Sequence, residues 1–146
     1  MSNLAIDIAK AVAVELNEGS FSDTFTAAWR PYVKFSLQSG DLDSVQVSMA
    51  VKSRTSVQYS REVSQNDVSI MIGVQKKVGK DRDTDIVPLC DLVEEIIDHM
   101  TGRTLTDMPY AQFVSIENDP IYDSVQLIED GVFTSILTIV YMAMKE

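Results

Sequence analysis

The sequence is poor in the residues that most site chemistry needs. It has one cysteine, Cys90, and one histidine, His99, in 146 residues. A single cysteine excludes an internal disulfide framework and a cysteine-based zinc site. A single histidine excludes multi-histidine metal centres and weakens any triad reading. Basic residues are scarce too: 12 Lys and Arg stand against 22 Asp and Glu, a formal net charge of −10. Phosphate binding is dominated by Lys and Arg, so such a chain is a poor holder of nucleic acid. Six Gly and four Pro are too few for a disordered or collagen-like chain. Long apolar runs are missing as well. The most apolar stretch, residues 132–144, contains Thr134, Ser135 and Thr138 and is too short and too polar to span a bilayer. Residues 1–16 carry Asp7, Lys10 and Glu15, which interrupt the apolar stretch a signal peptide needs. These absences favour a non-catalytic protein with no cofactor and no membrane, made and used in a cytoplasm or in a particle assembled there.

What is present reads as one domain spanning residues 1–146, long enough to bury about two thirds of the surface its unfolded chain exposes. Leu4, Ile8, Val12 and Leu16 recur at helical spacing, with Ser2 or Asn3 as cap and Gly19 as a left-handed stop. Residues 25–37 alternate, with Phe25, Ala27, Trp29, Val33, Phe35 and Leu37 on one face and Arg30, Tyr32 and Lys34 on the other. Pro31 places that strand at an edge or a bulge, and Gly40-Asp41 supplies a turn. Val45 to Val51 predicts a second strand, Val57 to Val63 a third and Val68 to Lys77 a fourth, in an antiparallel meander.

Residues 76–85 form a charged stretch that reads as a loop. Leu89, Leu92, Val93, Ile96, Ile97 and Met100 then make one helical stripe. Pro88 is at home only in a first turn, which predicts a start near Asp85, and Gly102 is the stop. A strand is expected over residues 111–117, residues 121–129 read as a short strand or irregular turn, and residues 132–142 read as a central strand. The predicted class is α+β: a mostly antiparallel sheet of about five or six strands with two helices on one face.

Charge is unevenly placed. Residues 1–82 hold 10 basic and 9 acidic side chains, whereas residues 83–146 hold 2 and 13. Such asymmetry gives either a solvated face or a surface that repels polyanions.

Few residues carry chemistry. Asp81-x-Asp83-x-Asp85 has the opening spacing of a calcium loop, but Ile86 replaces the required Gly and Leu92 the bidentate Glu. Asp83 and Asp85 instead suit the positive end of the second helix. Glu94, Glu95 and Asp98 read as a solvated helix face rather than as acid–base groups. His99 reads as packing. Cys90 lies in the first turn, where Asp85 and Asp91 oppose activation of its thiol. No Gly-rich phosphate loop is present, and Lys76, Lys77, Lys80 and Arg82 interleave with Asp81 and Asp83. A mixed-sign segment of that kind suits a protein partner better than DNA.

Three stretches together carry a resemblance: Ala28-Trp29-Arg30-Pro31-Tyr32-Val33, Val68 to Lys77 ending Gln75-Lys76-Lys77, and Glu117-Asn118-Asp119-Pro120-Ile121-Tyr122 leading to Phe133-Thr134-Ser135-Ile136-Leu137-Thr138. The chain resembles small neck and tail proteins of long-tailed bacteriophages, especially the tail terminators. That resemblance implies an α+β subunit without catalytic residues, assembled into a hexameric ring at the head-proximal end of the tail tube. Such a ring ends tube polymerisation, meets the tail tube protein and a head-completion or connector protein, and lets genome DNA through its lumen without specific binding. The expected location is the virion tail or neck. Candidate contacts between subunits or rings are Arg30 and Lys34 on the long strand, and Lys76, Lys77, Lys80, Asp81, Arg82 and Asp83 in the charged loop. Three alternatives stay open: another neck component, a monomeric protein-binding adaptor, and an enzyme built around a carboxylate or His99 cluster.

Overall fold

A computed structural model describes residues 3–31 and 44–145. The elements run α1 (Leu4–Glu18), β1 (Ala27–Trp29), β2 (Gln46–Gln58), β3 (Ser64–Lys77), α2 (Arg82–Met100), β4 (Gln112–Asn118), α3 (Ser124–Asp130) and β5 (Val132–Lys145). The strands form one sheet in the order β1-β2-β3-β5-β4. The class is α+β, as the sequence predicts. The pairs β2–β3, β3–β5 and β4–β5 are antiparallel, but β1 runs parallel to β2, so the meander fails at its first connection. A parallel pair needs a crossover rather than a tight turn. The predicted strand segment beyond Pro31 and the Gly40-Asp41 turn fall outside the described residues.

The alternation of the strands builds a one-sided core. Val68, Ile70, Ile72 and Val74 of β3 and Phe133, Leu137, Ile139 and Tyr141 of β5 face the same side and are fully buried. Ile8, Val12 and Leu16 of α1 and Leu92, Ile96 and Met100 of α2 join them in one cluster. Burying each such side chain contributes about 1.5–3 kcal/mol. Both long helices therefore cover one face, as expected. On the opposite face the buried apolar residues Ala50 and Ile136 pack with half-buried Met71 as a small separate group.

Helix ends follow local chemistry, with two departures. Asn3 Oδ1 accepts from the Ala5 and Ile6 amides and starts α1. Gly19 ends it in extended, not left-handed, backbone (φ −77°). Its need is space, because a Cβ there would lie 2.6 Å from the Phe21 ring. The second departure is α2, which begins at Arg82, ahead of the predicted start, and takes Pro88 into its interior. The Thr84 and Asp85 amides both reach the Asp81 carbonyl, at 3.1 and 2.9 Å, and set the earlier start.

The predicted second strand and the start of the third are one, β2, while residues 59–63 of the predicted third strand form the turn to β3. β2 bulges between Val51 and Ser53, and the extra residue there, Lys52, switches the alternation. Val51 lies opposite Ile70 on the core side, while Val57 lies opposite Gln65 on the other side. Residues 121–129 are neither strand nor irregular turn but contain α3. The Asp123 side chain accepts from the Gln126 amide at 2.9 Å, and Gly131, in left-handed backbone (φ 66°), closes the helix.

Candidate functional site

A concavity sits where β3 hands over to α2. β3 extends to Lys77 and α2 begins at Arg82, so the predicted ten-residue loop is a connection of residues 78–81. This corrects the loop reading: Lys76 and Lys77 are ladder residues opposite Phe133 and Val132, and Arg82 and Asp83 belong to the first helical turn. A strand end set against a helix start leaves a cleft of about 630 Å3. Val78, Pro88 and Leu89 supply apolar lining, and Asp23, Asp85, Asp91 and Glu95 face Lys76 and Lys77 around it.

Three of these carboxylates work as acceptors for nearby groups. Glu95 takes the Ser22 amide on one oxygen, at 3.1 Å, and the Ser22 hydroxyl on the other. Asp85 takes the Gly79 amide at 2.8 Å. Asp23 takes the Thr24 amide at 2.8 Å and pairs with Lys76 at 3.7 Å. That pair is partly exposed and contributes under about 1 kcal/mol. These bonds stitch the segment after α1 and the turn after β3 onto α2. Glu94 and Asp98 are exposed as expected, but Glu95 is half-buried and bound, not solvated. Asp83, Val87, Asp91, Glu94 and Asp98 recur at helical spacing, and all are exposed on the outer face of α2.

The candidate contacts disperse. Lys76 and Lys77 line the cleft, and Lys80, Asp81 and Asp83 are exposed beside it. Arg82 turns away and donates to the Ile128 carbonyl at 2.7 Å, tying α2 to α3. Arg30 is exposed just past the parallel strand β1, where its amide donates to Met49. Lys34 lies outside the described residues. The structure thus gathers the two ladder lysines with acids that sequence reasoning did not link to them: Asp23, Asp91 and Glu95.

Two surfaces escaped the sequence reading. Residues 51–62, the outer half of β2 and its turn toward β3, are exposed throughout, including Val51, Val57 (58%) and Tyr59 (71%). Arg54 and Ser56 both donate to Asn66 Oδ1, whose amide donates to the Ser64 and Ala143 carbonyls, so this arm is held firmly. Ile121, Val125 and Ile128 form the second surface, an exposed apolar stripe on and before α3. The Asp123 and Gly131 capping pair was its legible signal.

Glu15, Tyr141 and His99 make structural contacts. Glu15 is 1% exposed and accepts from Arg103 Nε at 2.8 Å and the Thr106 amide at 2.7 Å. Burial pushes its pKa up, but these two bonds and the Arg103 charge outweigh that and hold it below the usual carboxylate range. Tyr141 donates to the Arg103 carbonyl at 2.8 Å, and burial, aided by the Glu15 charge, pushes its hydroxyl pKa up. His99 Nε2 lies 3.0 Å from the Glu15 carbonyl and its ring meets Phe21 edge-on, which is a packing role. Burial and the Asp91 charge raise the Cys90 thiol, opposite to activation. Among the described residues no three His, Cys, Asp or Glu side chains converge as metal ligands do, Asp81, Asp83 and Asp85 included. No helix of these residues is long and apolar enough to cross a membrane. Scanned against protein-family models the chain has no match, and a search of curated proteins also finds none.

Proposed function

We propose that the chain is a structural protein of a phage neck: a tail terminator that assembles into a ring, with six the expected number of copies. In this reading the ring sits in the virion at the head-proximal end of the tail tube. It ends tube growth and joins the tail tube protein to a head-completion or connector protein. The observation that carries the reading is the exposed arm. Val57 and Tyr59, two residues apart, stand in water on a hairpin fixed by its own hydrogen bonds, and exposed apolar surface on an ordered element is a mark of protein contact. One arm per copy gives head-to-tail contacts, which close into rings when the rotation permits.

Charge supports the same reading. Between Arg103 and Lys145 the chain has no Lys or Arg but carries Asp107, Glu117, Asp119, Asp123, Glu129 and Asp130. A channel wall of that composition repels phosphates, so DNA slides through without being held. In this reading the protein is not an enzyme, and Asp23, Asp85 and Glu95 of its cleft hold backbone and side-chain donors. The cleft itself favours a second reading, a monomeric adaptor that seats a peptide beside Pro88 and Leu89. Solution mass by light scattering over a range of concentrations separates the two. Six copies of the 16.2 kDa chain make about 97 kDa, the ring result. A mass of 16.2 kDa at every concentration contradicts the self-assembling ring and favours the adaptor.

A further inference from the structure

The arm and the outer face of α2 are complementary in charge. Residues 51–63 carry Lys52, Arg54 and Arg61 against Glu62 alone. Lys52 and Arg61 are exposed and have no ion pair among the described residues. The turn is fixed, with the Tyr59 and Ser60 amides both donating to the Val63 carbonyl at 2.9 and 3.0 Å, so little ordering remains to be done on binding. On α2, Asp83, Asp91, Glu94 and Asp98 are exposed with Val87 among them. The basic side chains of that helix are Arg82, which is occupied by the Ile128 carbonyl, and His99, which faces inward. Beside this stripe opens the cleft, lined by apolar Val78, Pro88 and Leu89, with Asp23, Asp85, Asp91 and Glu95 outnumbering Lys76 and Lys77 around it. Among the described residues no hydrogen bond or ion pair joins residues 51–63 to α2 of the same chain.

We propose that the arm of one copy docks on the α2 face of a second copy, with Tyr59 entering the cleft and Lys52 and Arg61 laid along the acidic stripe of Asp83, Asp91, Glu94 and Asp98. The inference rests on the ring reading and deepens it by assigning the two halves of the subunit contact. The occupant is a second copy because each chain carries both the basic, apolar-tipped arm and the acidic, apolar-floored face. A cleft of about 630 Å3 has room for a tyrosine ring with water to spare. The contact is heterologous, so every copy is donor to one neighbour and acceptor to the other. Opposed charges across it raise the encounter rate and fix the register.

The test uses the full chain and light scattering, with circular dichroism melts to verify folding. Four proteins are compared: the natural sequence, Lys52→Glu/Arg61→Glu, Asp91→Lys/Glu94→Lys, and the combination of all four changes. Each pair alone reduces the assembly to the 16.2 kDa monomer, and the combination restores the natural assembly mass. Tyr59→Ala, which changes no charge, weakens assembly at least tenfold in concentration. If both charge-reversed pairs keep the natural assembly mass, the docking is wrong and the ring reading survives. If the natural sequence is itself monomeric at every concentration, the ring reading fails and this contact fails with it.

Discussion

The two ends of the β2–β3 hairpin share the same strands and one continuous ladder, yet their side chains have different fates. At the inner end Val47, Met49, Ile72 and Val74 are buried under α1. At the outer end residues 51–62 are exposed, and the Arg54–Ser56–Asn66 network replaces apolar packing. The strand ladder and that network keep the outer end ordered, so its apolar side chains are not needed to fold the chain. Regions with separate tasks of this kind respond differently to substitution, and the contrast can be pushed from both sides.

The largest effect belongs to the core. Leu92→Ala removes a fully buried side chain and should lower the unfolding free energy by about 3 kcal/mol in urea titrations. Arg103→Ala leaves the Glu15 carboxylate buried without its partner. Because Arg103 is partly exposed, water can reach the site, and the loss should be nearer about 2 kcal/mol than the full cost of a broken buried pair. The same pair sets an acid dependence. Glu15 has a lowered pKa in the folded state, so its stabilisation is present above its ordinary value and is lost as the pH falls through the lowered one. Urea midpoints should therefore decline below about pH 5, and Glu15→Gln should flatten that decline. Gly131→Ala forces a side chain into left-handed backbone at the α3 cap and should cost about 1 kcal/mol by thermal melts. Tyr59→Ala and Val57→Ser, on the arm, should stay within about 0.5 kcal/mol for the isolated fold. Their signature should instead be a melting temperature that no longer rises with protein concentration.

Much of this division was legible in residues and some was not. The α1 and α2 stripes, the alternation of β3 and the β-branched run of β5 each state their period plainly, and they place the one-sided core. The arm was split in two because the bulge at Lys52 changes the face on which odd residues fall while the apolar spacing stays even. Pro88 misled the start of α2, since an interior proline was tolerated by a helix already begun at the Asp81 carbonyl. α3 was hidden because a seven-residue helix with only Val125, Leu127 and Ile128 apolar has no clear period, and its two caps carry the signal. The cleft could not be read at all. Its acids come from the segment after α1 and from α2, and its lysines from β3, so only the tertiary structure brings them together.

The most direct measurement is negative-stain electron microscopy of the purified chain at a concentration where it is associated, with top views averaged without imposed symmetry. Closed rings of identical subunits around an open lumen are the predicted result. Open filaments, or compact particles of one or two copies without a lumen, would contradict the account.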